Sequence, residues 1–342
     1  MLYEQYGDTR PIKTHYKSLK SWVNYIVSDC MTDYIVTKDT YGDWCMPPER
    51  QALIHSEDPA RKTDGAILST TFFYRILQLM SKFAALNGID ADQSEFDTLA
   101  LKVKNAYNQK YFDKATGQYG NNTVTANILS LMLGLTPSEY EEKVFDNVIS
   151  KTKGEFNSHV STGLIGIGYL MRGLTKYGNP ELAYRIATNR TYPSWGYMIE
   201  NGATTIWELW NGNTADPAMN SHNHVMLLGD LLIWYYESLA GISTDKDIVG
   251  FKKINMNPAF PDGLNFVNAS YNSVYGKIYS NWNRKGSNIE WKIEIPANTS
   301  AAITLPKGMN INNKALMKDI NRTDGVASLT LPSGKYTLDI SF

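Results

Sequence analysis

Acidic and aromatic side chains are concentrated in residues 192–224, YPSWGYMIENGATTIWELWNGNTADPAMNSHNH. Glu200 and Glu208 stand close in sequence to Trp207 and Trp210 in this segment. A carboxylate among aromatic rings is partly removed from water, and this environment suits proton transfer near neutral pH. We therefore expect Glu208 either to take part in acid–base chemistry or to have a structural role, as a helix cap or an ion-pair partner.

A second segment of interest is YGDWCMPPE at residues 41–49, which places Asp43 beside Trp44 in a loop rich in glycine and proline. Loops of this kind often carry binding residues. The same pattern is also found in an ordinary connection with a buried tryptophan. Both interpretations remain open from spacing alone.

Other kinds of chemistry have little support in the sequence. His222 and His224 are two positions apart. On a helix they would lie on different faces, so a polar or core role is favoured over metal binding. Cys30 and Cys45 are the only cysteines, which allows one disulfide but no zinc site. There is no glycine-rich phosphate loop and no G-x-S-x-G elbow.

The composition excludes several classes of protein. The 342 residues include 33 Lys and Arg against 34 Asp and Glu, with a formal net charge of −1. A nucleic-acid partner is disfavoured because phosphate binding needs a basic surplus. No apolar run reaches the ~18 residues of a membrane span. The first residues show no signal-peptide pattern. We expect a periplasmic or extracellular location if the full-length protein carries a signal peptide, and a cytoplasmic one otherwise.

Helical periodicity dominates up to about residue 243. The apolar spacing predicts helices over Ile67–Phe83, ended by Gly88, and over Phe96–Tyr107. Further helices are expected after a capping box at Thr136–Glu139, over Leu164–Met171, after Pro180, and over His224–Leu239 before Gly241. Helices in series with long glycine- and asparagine-rich loops favour a mainly α domain of the helical toroid type over residues 1–243.

From about residue 250 the period changes to two, which is typical of strands that are buried on one face. Ile289, Trp291, Ile293 and Ile295 alternate with polar residues. Turn residues separate the apolar runs, at 284–287, 296–298 and 332–334. The pattern predicts a small antiparallel β-sandwich over 250–342, with the domain boundary at about 244–250.

The sequence resembles the bacterial α-L-rhamnosidases of glycoside hydrolase family 78 over nearly its whole length. GATTIWELW at 202–210 is the most specific match, followed by NSHNH at 220–224 and LAGI at 239–242. YPSWGYMI, STGLIG, YGDTRPIKTHY and the GDW of 42–44 also match in order. The resemblance implies an (α/α)6 toroid followed by a small β-sandwich. It further implies inverting hydrolysis of terminal α-L-rhamnosides by two glutamates.

The resemblance also implies a role for individual residues. It makes Glu208 the general base and Trp44 and His224 contacts in the sugar pocket, with Asp43 and Trp210 as weaker candidates. Trp44 would pack on the rhamnose ring and its C6 methyl group, and His224 would hydrogen-bond hydroxyls. No metal or organic cofactor is expected, because proton transfer and stabilisation of the oxocarbenium-like transition state suffice for this reaction.

The sequence departs from the family at the general acid. The family places this residue upstream, in a segment that ends in G-W-x-G-D and precedes the YGD motif with which this chain starts. We therefore expect a toroid that is incomplete at its N-terminus, with an exposed apolar surface beside Trp22, Tyr25 and Ile26. The missing N-terminal part of the enzyme is a possible partner, besides glycosides or polysaccharides that contain rhamnose. Substitute acids are conceivable among Asp43, Glu49, Glu57 and Asp58.

Two alternative functions remain open beside hydrolysis of α-L-rhamnosides. The first is another glycosidase or a polysaccharide lyase on the same toroid. A lyase needs a positive charge to hold a carboxylate, and residues 202–224 contain no Lys or Arg. The second is an inactive or sugar-binding remnant of a glycosidase.

Overall fold

The computed structural model describes residues 1–39, 41–216, 221–224 and 226–342, and for 226–229 it describes the backbone only. The described chain divides into two compact units. The helical unit consists of residues 12–177 and 182–230, and the sheet unit of residues 1–11, 178–181 and 231–342. The predicted boundary at 244–250 stays a prediction.

Ten α-helices lie in the described residues: α1 Leu2–Tyr6, α2 Arg10–Tyr25, α3 Gly65–Asn87, α4 Asp90–Tyr111, α5 Val124–Met132, α6 Glu141–Gly154, α7 Leu164–Lys176, α8 Pro180–Thr188, α9 Trp195–Glu200 and α10 Met226–Trp234. Short π-helices follow α2 at Ile26–Cys30 and α10 at Tyr235–Leu239. In the described part of the chain, 3-10 turns lie at Pro59–Arg61, Ser138–Tyr140 and Lys314–Asp319. The prediction of a mainly helical part followed by a β-rich part is confirmed.

Helices α3 and α4 pack against each other as a hairpin. Asp64 is the N-cap of α3, and its side chain accepts a hydrogen bond from the backbone N–H of Ala66. The helix ends at Gly88, which has a left-handed backbone with φ of 70°. The predicted helix over Ile67–Phe83 and its stop at Gly88 are thus confirmed.

The helix α5 packs against both α6 and α7. Most of its residues are buried, because helices cover it on more than one side. The hydroxyl of Thr123 caps its first turn by accepting a hydrogen bond from the backbone N–H of Ala126. The helices predicted over Leu164–Met171 and after Pro180 are confirmed as α7 and α8.

The predicted capping box at Thr136–Glu139 is wrong. Pro137 has an extended backbone and precedes a 3-10 turn, and α6 begins only at Glu141. The Thr136 hydroxyl is buried and has no hydrogen-bond partner among the described residues. A Thr-Pro-Ser-Glu sequence permits a capping box, but here the chain makes one tight turn before the helix starts.

The β-rich part contains one sheet of eight strands: β5 Ile242–Thr244, β6 Lys253–Met256, β7 Phe266–Ser273, β8 Gly276–Lys285, β9 Asn288–Thr304, β10 Asn310–Ile311, β11 Asn321–Thr323 and β12 Val326–Ser341. Two short hairpins lie in the helical unit, β1 Met31–Thr32 with β2 Ile35–Val36 and β3 Phe112–Asp113 with β4 Gln118–Tyr119. All pairings are antiparallel except that of β6 with β9. The buried core of the sheet includes Trp282, Trp291 and Ile303.

The long strands β9 and β12 correct two predicted turns. The turn at 284–287 is confirmed, because β8 ends at Lys285 and β9 starts at Asn288. The turns predicted at 296–298 and 332–334 lie within β9 and β12 instead. The register between these strands shifts between Pro332 and Gly334 and then resumes. Proline and glycine therefore break the ladder locally without ending either strand.

The helix α2 leaves large side chains in solvent. Trp22 is 46% exposed and Tyr25 is 53% exposed, whereas Ile12, Tyr16 and Val23 on the other face are buried. Ile26 is partly buried. The contiguous exposed apolar surface expected beside Trp22, Tyr25 and Ile26 stays a prediction. Among the described residues no helix combines the length and apolar character that crossing a bilayer requires.

Candidate active site

The structure brings Trp44 and Glu208 together in the helical unit. The indole Nε1 of Trp44 donates a hydrogen bond to Oε1 of Glu208 over 3.4 Å. Glu208 is partly buried. The GDW loop and the GATTIWELW motif therefore meet at one site, as the resemblance implies.

Backbone pairing holds Glu208 from the other side. The backbone N–H of Glu208 donates to the carbonyl of Ser221 over 2.8 Å, and the N–H of His224 donates to the carbonyl of Ile206 over 2.6 Å. The N–H of Ser221 in turn donates to Oε2 of Glu208 over 3.0 Å. Each carboxylate oxygen of Glu208 thus accepts one hydrogen bond, which restricts its orientation.

A buried amide fixes the two loops against each other. The side-chain nitrogen of Asn211 donates to the carbonyls of Gln51 and Leu53, each over 2.7 Å. Nearby, Cys45 and Leu209 belong to a small buried apolar cluster. Because sequence spacing does not show such pairings, Asn211 was not expected to position the site.

Asp43 joins the GDW loop to the helices behind it. Its Oδ2 accepts hydrogen bonds from the Thr125 hydroxyl and the N–H of Gly163, and its Oδ1 accepts from the N–H groups of Ile165 and Gly166. Free N–H groups at a helix start favour a carboxylate in this position. A side chain at Gly163 would clash with the carbonyl oxygens of Asp43 and Trp44. Close packing here therefore requires glycine.

The four donors around Asp43 use about all of the acceptor positions that a carboxylate has. Burial raises the pKa of the Asp43 carboxyl, and the hydrogen bonds from Thr125 and from the start of α7 oppose that rise. This arrangement gives Asp43 a structural function and argues against the direct sugar contact that the resemblance implies.

The remaining predicted residues lie in different environments. Trp210 is 1% exposed and packs edge-on against Trp195, so its ring presents no open face to a sugar. His222 bonds through Nε2 to the carbonyl of Gly212, in keeping with the favoured structural role. His224 lies on the segment paired with Ile206 and is partly exposed. Its sugar contact stays a prediction.

The other acidic residues are engaged elsewhere. Glu49 accepts hydrogen bonds from the Ser56 hydroxyl and the N–H of Glu57. Burial raises the pKa of the Glu49 carboxyl, but hydrogen bonds from its own backbone N–H, from Ser56 and from the N–H of Glu57, together with the charge of Arg61, lower it overall. Glu57 pairs with Arg50, and Asp58 caps a 3-10 turn. Each of the three has a structural partner.

Sequence reasoning missed two ring-bearing residues beside Trp44. His55 lies with its ring centre 4.8 Å from that of Trp44, and Tyr41 makes an edge contact at 6.3 Å. Tyr41 stands within the quoted motif, so its place in the loop could have suggested this contact. His55 lies in a stretch without a recognisable pattern. No group of three metal-ligating side chains occurs in the parts of the chain that the structure describes.

Burial and charge act together on Cys45, which follows Trp44. Burial, with smaller contributions from the charges of Glu208 and Asp43, raises the pKa of the Cys45 thiol to about 12. The thiol therefore stays protonated at neutral pH and gives no support to nucleophilic cysteine chemistry.

Comparisons with known proteins agree with the arrangement of the chain. Residues 1–239 match the sequence model of the bacterial alpha-L-rhamnosidase 6 hairpin glycosidase domain, and residues 241–315 match that of the bacterial alpha-L-rhamnosidase C-terminal domain. An alpha-L-rhamnosidase of Formosa agariphila is 31% identical over 98% of this chain and 36% of its own length. An alpha-L-rhamnosidase of Alteromonas sp. (strain LOR) is 31% identical over 89% of this chain and 33% of its own length.

Solved structures show the same similarity. The alpha-L-rhamnosidase of Dictyoglumus thermophilum superposes with a TM-score of 0.88 at 31% identity, over 100% of this chain and 38% of that protein. The Streptomyces avermitilis enzyme, solved in complex with L-rhamnose, gives a TM-score of 0.86 at 24% identity. The match covers 100% of this chain and 32% of that protein. The chain thus spans about a third of the length of the relatives that it matches.

Proposed function

The chain belongs to the bacterial α-L-rhamnosidases, a family of glycoside hydrolases with a six-hairpin domain, and we propose that it takes part in inverting hydrolysis of terminal α-L-rhamnosides. In this proposal Glu208 is the general base. The observation that carries it is the hydrogen bond from Trp44 to Glu208, because it joins an apolar ring to a partly buried carboxylate.

Each residue has a separate task in the proposed reaction. Glu208 accepts a proton from a water molecule on the face of the sugar opposite the leaving group, while that water attacks the anomeric carbon. The Trp44 ring packs on the rhamnose ring and its C6 methyl group, the least polar part of the sugar. His224 donates to or accepts from a sugar hydroxyl. Asp43 and Trp210 act beneath the pocket by positioning the loops.

The proposed reaction also needs a carboxylic acid that protonates the leaving oxygen, about 6.5–9.5 Å from the base. Asp43 is a poor candidate because four donors occupy its acceptor positions, and Glu49 is a poor one because its pKa is lowered. Glu57 pairs with the exposed Arg50, and Asp58 caps a 3-10 turn. We therefore propose that the acid is supplied by a polypeptide segment outside the described residues. Such a segment would also cover the exposed aromatic side chains of α2.

Two substrates with different leaving groups test this proposal. p-Nitrophenolate leaves without protonation, whereas an alkoxide does not. We expect the chain alone to hydrolyse p-nitrophenyl α-L-rhamnoside slowly and methyl α-L-rhamnoside undetectably. Turnover on the methyl glycoside would contradict the assignment of the acid to another segment. Binding of rhamnose without any turnover would favour a sugar-binding remnant, and absence of binding would overturn the proposal.

Supplying the part of a relative that this chain does not match tests the proposed partner. The part of the Dictyoglumus thermophilum relative that lies outside its match to this chain can be co-expressed with this chain. We expect a complex with activity on the methyl glycoside. A chain with Trp22→Ser and Tyr25→Ser, changes that affect exposed side chains only, should bind that fragment less tightly. Equal binding by the parent chain and this variant would contradict the assignment of α2 to the interface.

A further inference from the structure

The strand β7 is a long open edge of the eight-stranded sheet. In the described chain it pairs with β8 alone, and the other strands of this sheet with a single partner, β5, β10 and β11, have only two or three residues each. Proteins usually keep edge strands short or place charges and prolines on them, because unpaired backbone groups attract further strands. The eight residues of β7, FVNASYNS, include neither a charged residue nor a proline. The strand therefore carries nothing that opposes pairing with another chain.

The direction of the backbone groups along β7 follows from one hydrogen bond. The N–H of Arg284 donates to the carbonyl of Asn265, the residue before β7, over 2.8 Å. Hydrogen-bonded positions alternate along an antiparallel pair, so odd-numbered residues of β7 direct their backbone groups to β8 and even-numbered residues direct theirs to the open edge. The edge positions are Phe266, Asn268, Ser270 and Asn272. No backbone hydrogen bond joins them to another part of the described chain.

A groove with a volume of about 350 Å³ lies beside this edge. Residues 267–270 line one side of it, and Tyr235, Tyr236 and Leu239 of the π-helix after α10 line the other. Successive residues of a strand point to opposite faces of a sheet, so a groove that touches four in a row borders the edge rather than either face. A further strand, placed about 4.8 Å from β7, would lie in this groove.

The edge positions of β7 are complementary to a second copy of the same strand. When two copies run antiparallel about a two-fold axis at Ser270, Asn268 of one copy lies opposite Asn272 of the other. Ser270 then faces Ser270, and Phe266 faces the hairpin tip that carries Val274. Amide thus meets amide, hydroxyl meets hydroxyl and apolar meets apolar. Phe266 is 57% exposed and Val274 is 56% exposed, so both side chains can make this contact.

The absence of charge on β7 distinguishes a second copy from other extended partners. A charged peptide would find no opposite charge on this strand. Two copies of β7 bring no charge to the interface, and two-fold symmetry repeats each favourable contact. The chemistry of the edge therefore fits its own strand better than it fits a charged segment.

We propose that β7 joins two copies of this chain edge to edge, in an antiparallel register centred on Ser270, so that two eight-stranded sheets form one continuous sheet. Main-chain hydrogen bonds at positions 268, 270 and 272 of each copy supply the affinity, and the side-chain matches fix the register. The inference uses residues of the sheet unit only, and it does not depend on the proposed function.

Sedimentation equilibrium of the full chain at about 1–100 µM tests the pairing, because we expect a dissociation constant in the micromolar range. Ser270→Lys places two like charges opposite each other at the two-fold axis, and it should raise the dissociation constant about tenfold or more. Ser270→Glu should have the same effect. An equimolar mixture of the two variants should recover the dimer, because Lys then faces Glu across the axis.

Two further variants make the test specific. Thr323→Lys is the matched control, because Thr323 is exposed on β11, which β12, β9 and β8 separate from β7. This added charge should leave association unchanged. Ser270→Pro removes an edge N–H and keeps the ladder with β8, since the N–H of Ser270 points away from β8. It should also be monomeric, and it keeps the test decisive if a charge at position 270 prevents folding.

The outcomes are distinct from those for the proposed function, because they are read from mass and not from activity. A parent chain that stays monomeric over the whole concentration range overturns the proposal. A Ser270→Lys or Ser270→Pro chain that associates as tightly as the parent also overturns it, because association would then use another surface. A mixture of the Lys and Glu variants that stays monomeric would contradict the register centred on Ser270.

Discussion

The indole Nε1 of Trp44 lies 3.4 Å from Oε1 of Glu208, across a sequence separation of 164 residues. One side chain comes from a loop before α3 and the other from a loop before α10. Their contact is the basis of the proposed site, so it is the first target for substitution.

Glu208→Gln should abolish the residual hydrolysis of p-nitrophenyl α-L-rhamnoside. An amide cannot accept the proton of the attacking water, and general base catalysis contributes roughly 10²–10⁴ in rate. The measurement is release of p-nitrophenolate under saturating substrate. Glu200→Gln serves as the control, since Glu200 is a more exposed carboxylate paired with Arg190. A Glu208→Gln chain as active as its control would exclude Glu208 as the base.

Trp44→Phe keeps an aromatic face but removes the N–H that bonds to Glu208. We expect the rate to fall about tenfold, as for a weak hydrogen bond to a charged group, with little change in rhamnose affinity. Trp44→Ala should lower both the rate of hydrolysis and the affinity for rhamnose. The rate and the dissociation constant are measured separately, with Trp22→Phe on the exposed face of α2 as control. If Trp44→Phe weakens binding as strongly as Trp44→Ala does, the hydrogen bond has no separate role.

Asp43→Asn should destabilise the start of α7. Asparagine offers one acceptor oxygen, and its amide N–H groups would face backbone N–H donors that Asp43 now satisfies. Leaving such donors unpaired costs about 1–3 kcal/mol. Urea unfolding measures the loss in the free energy of unfolding. Amide hydrogen exchange at Gly163 and Ile165 should become faster. Asp113→Asn, in an exposed turn where the carboxylate accepts two backbone N–H groups, should have a much smaller effect. Unchanged exchange at the start of α7 would contradict this role of Asp43.

Asp245 should make the free energy of unfolding depend on pH in the acid range. Hydrogen bonds from the N–H groups of Ile248 and Asp247, with the pairing to Lys253, lower the pKa of Asp245 to about 2 from an ordinary value of 3.8. A lowered pKa means that the folded form binds the proton less readily than the unfolded form does. The stabilisation is therefore fully present above about pH 4 and is lost as the pH falls towards 2. In Asp245→Asn, stability at pH 7 should be lower, with a smaller decline between pH 4 and 2. If the free energy of unfolding falls equally with pH in the parent chain and in the variant, the stabilising role of the Asp245 carboxylate is contradicted.

Local signals that depend on a single glycine were read correctly from the sequence, whereas the local capping box at Thr136–Glu139 and the breaks that depend on distant strand pairing were not. The stop of α3 at Gly88 and the turn at Gly286 each depend on one residue with a left-handed backbone. The interruptions in β9 and β12 have similar turn residues, but the strands resume because they pair with each other. A local pattern cannot show whether a partner strand continues past a break.

The candidate active site also depends on contacts between distant residues that the sequence does not predict. Glu208 and Trp44 were singled out by residue type and by resemblance, yet spacing does not indicate their contact. Asp43 was expected near the sugar, but its acceptor positions are used by Thr125 and the start of α7. His55 has no sequence signal, because its position depends on the path of the whole 41–64 loop.

The place of β12 in the sheet has a consequence for biosynthesis. This strand pairs with β9 over most of its length and also with β10 and β11, yet it leaves the ribosome after all three of them. Until then β9 lacks its main partner, and the apolar side chains that face the sheet core, Trp291 and Ile303 among them, stay in water. Nascent chains expose aggregation-prone surface in this state. We expect this part of the protein to depend most on chaperones during synthesis.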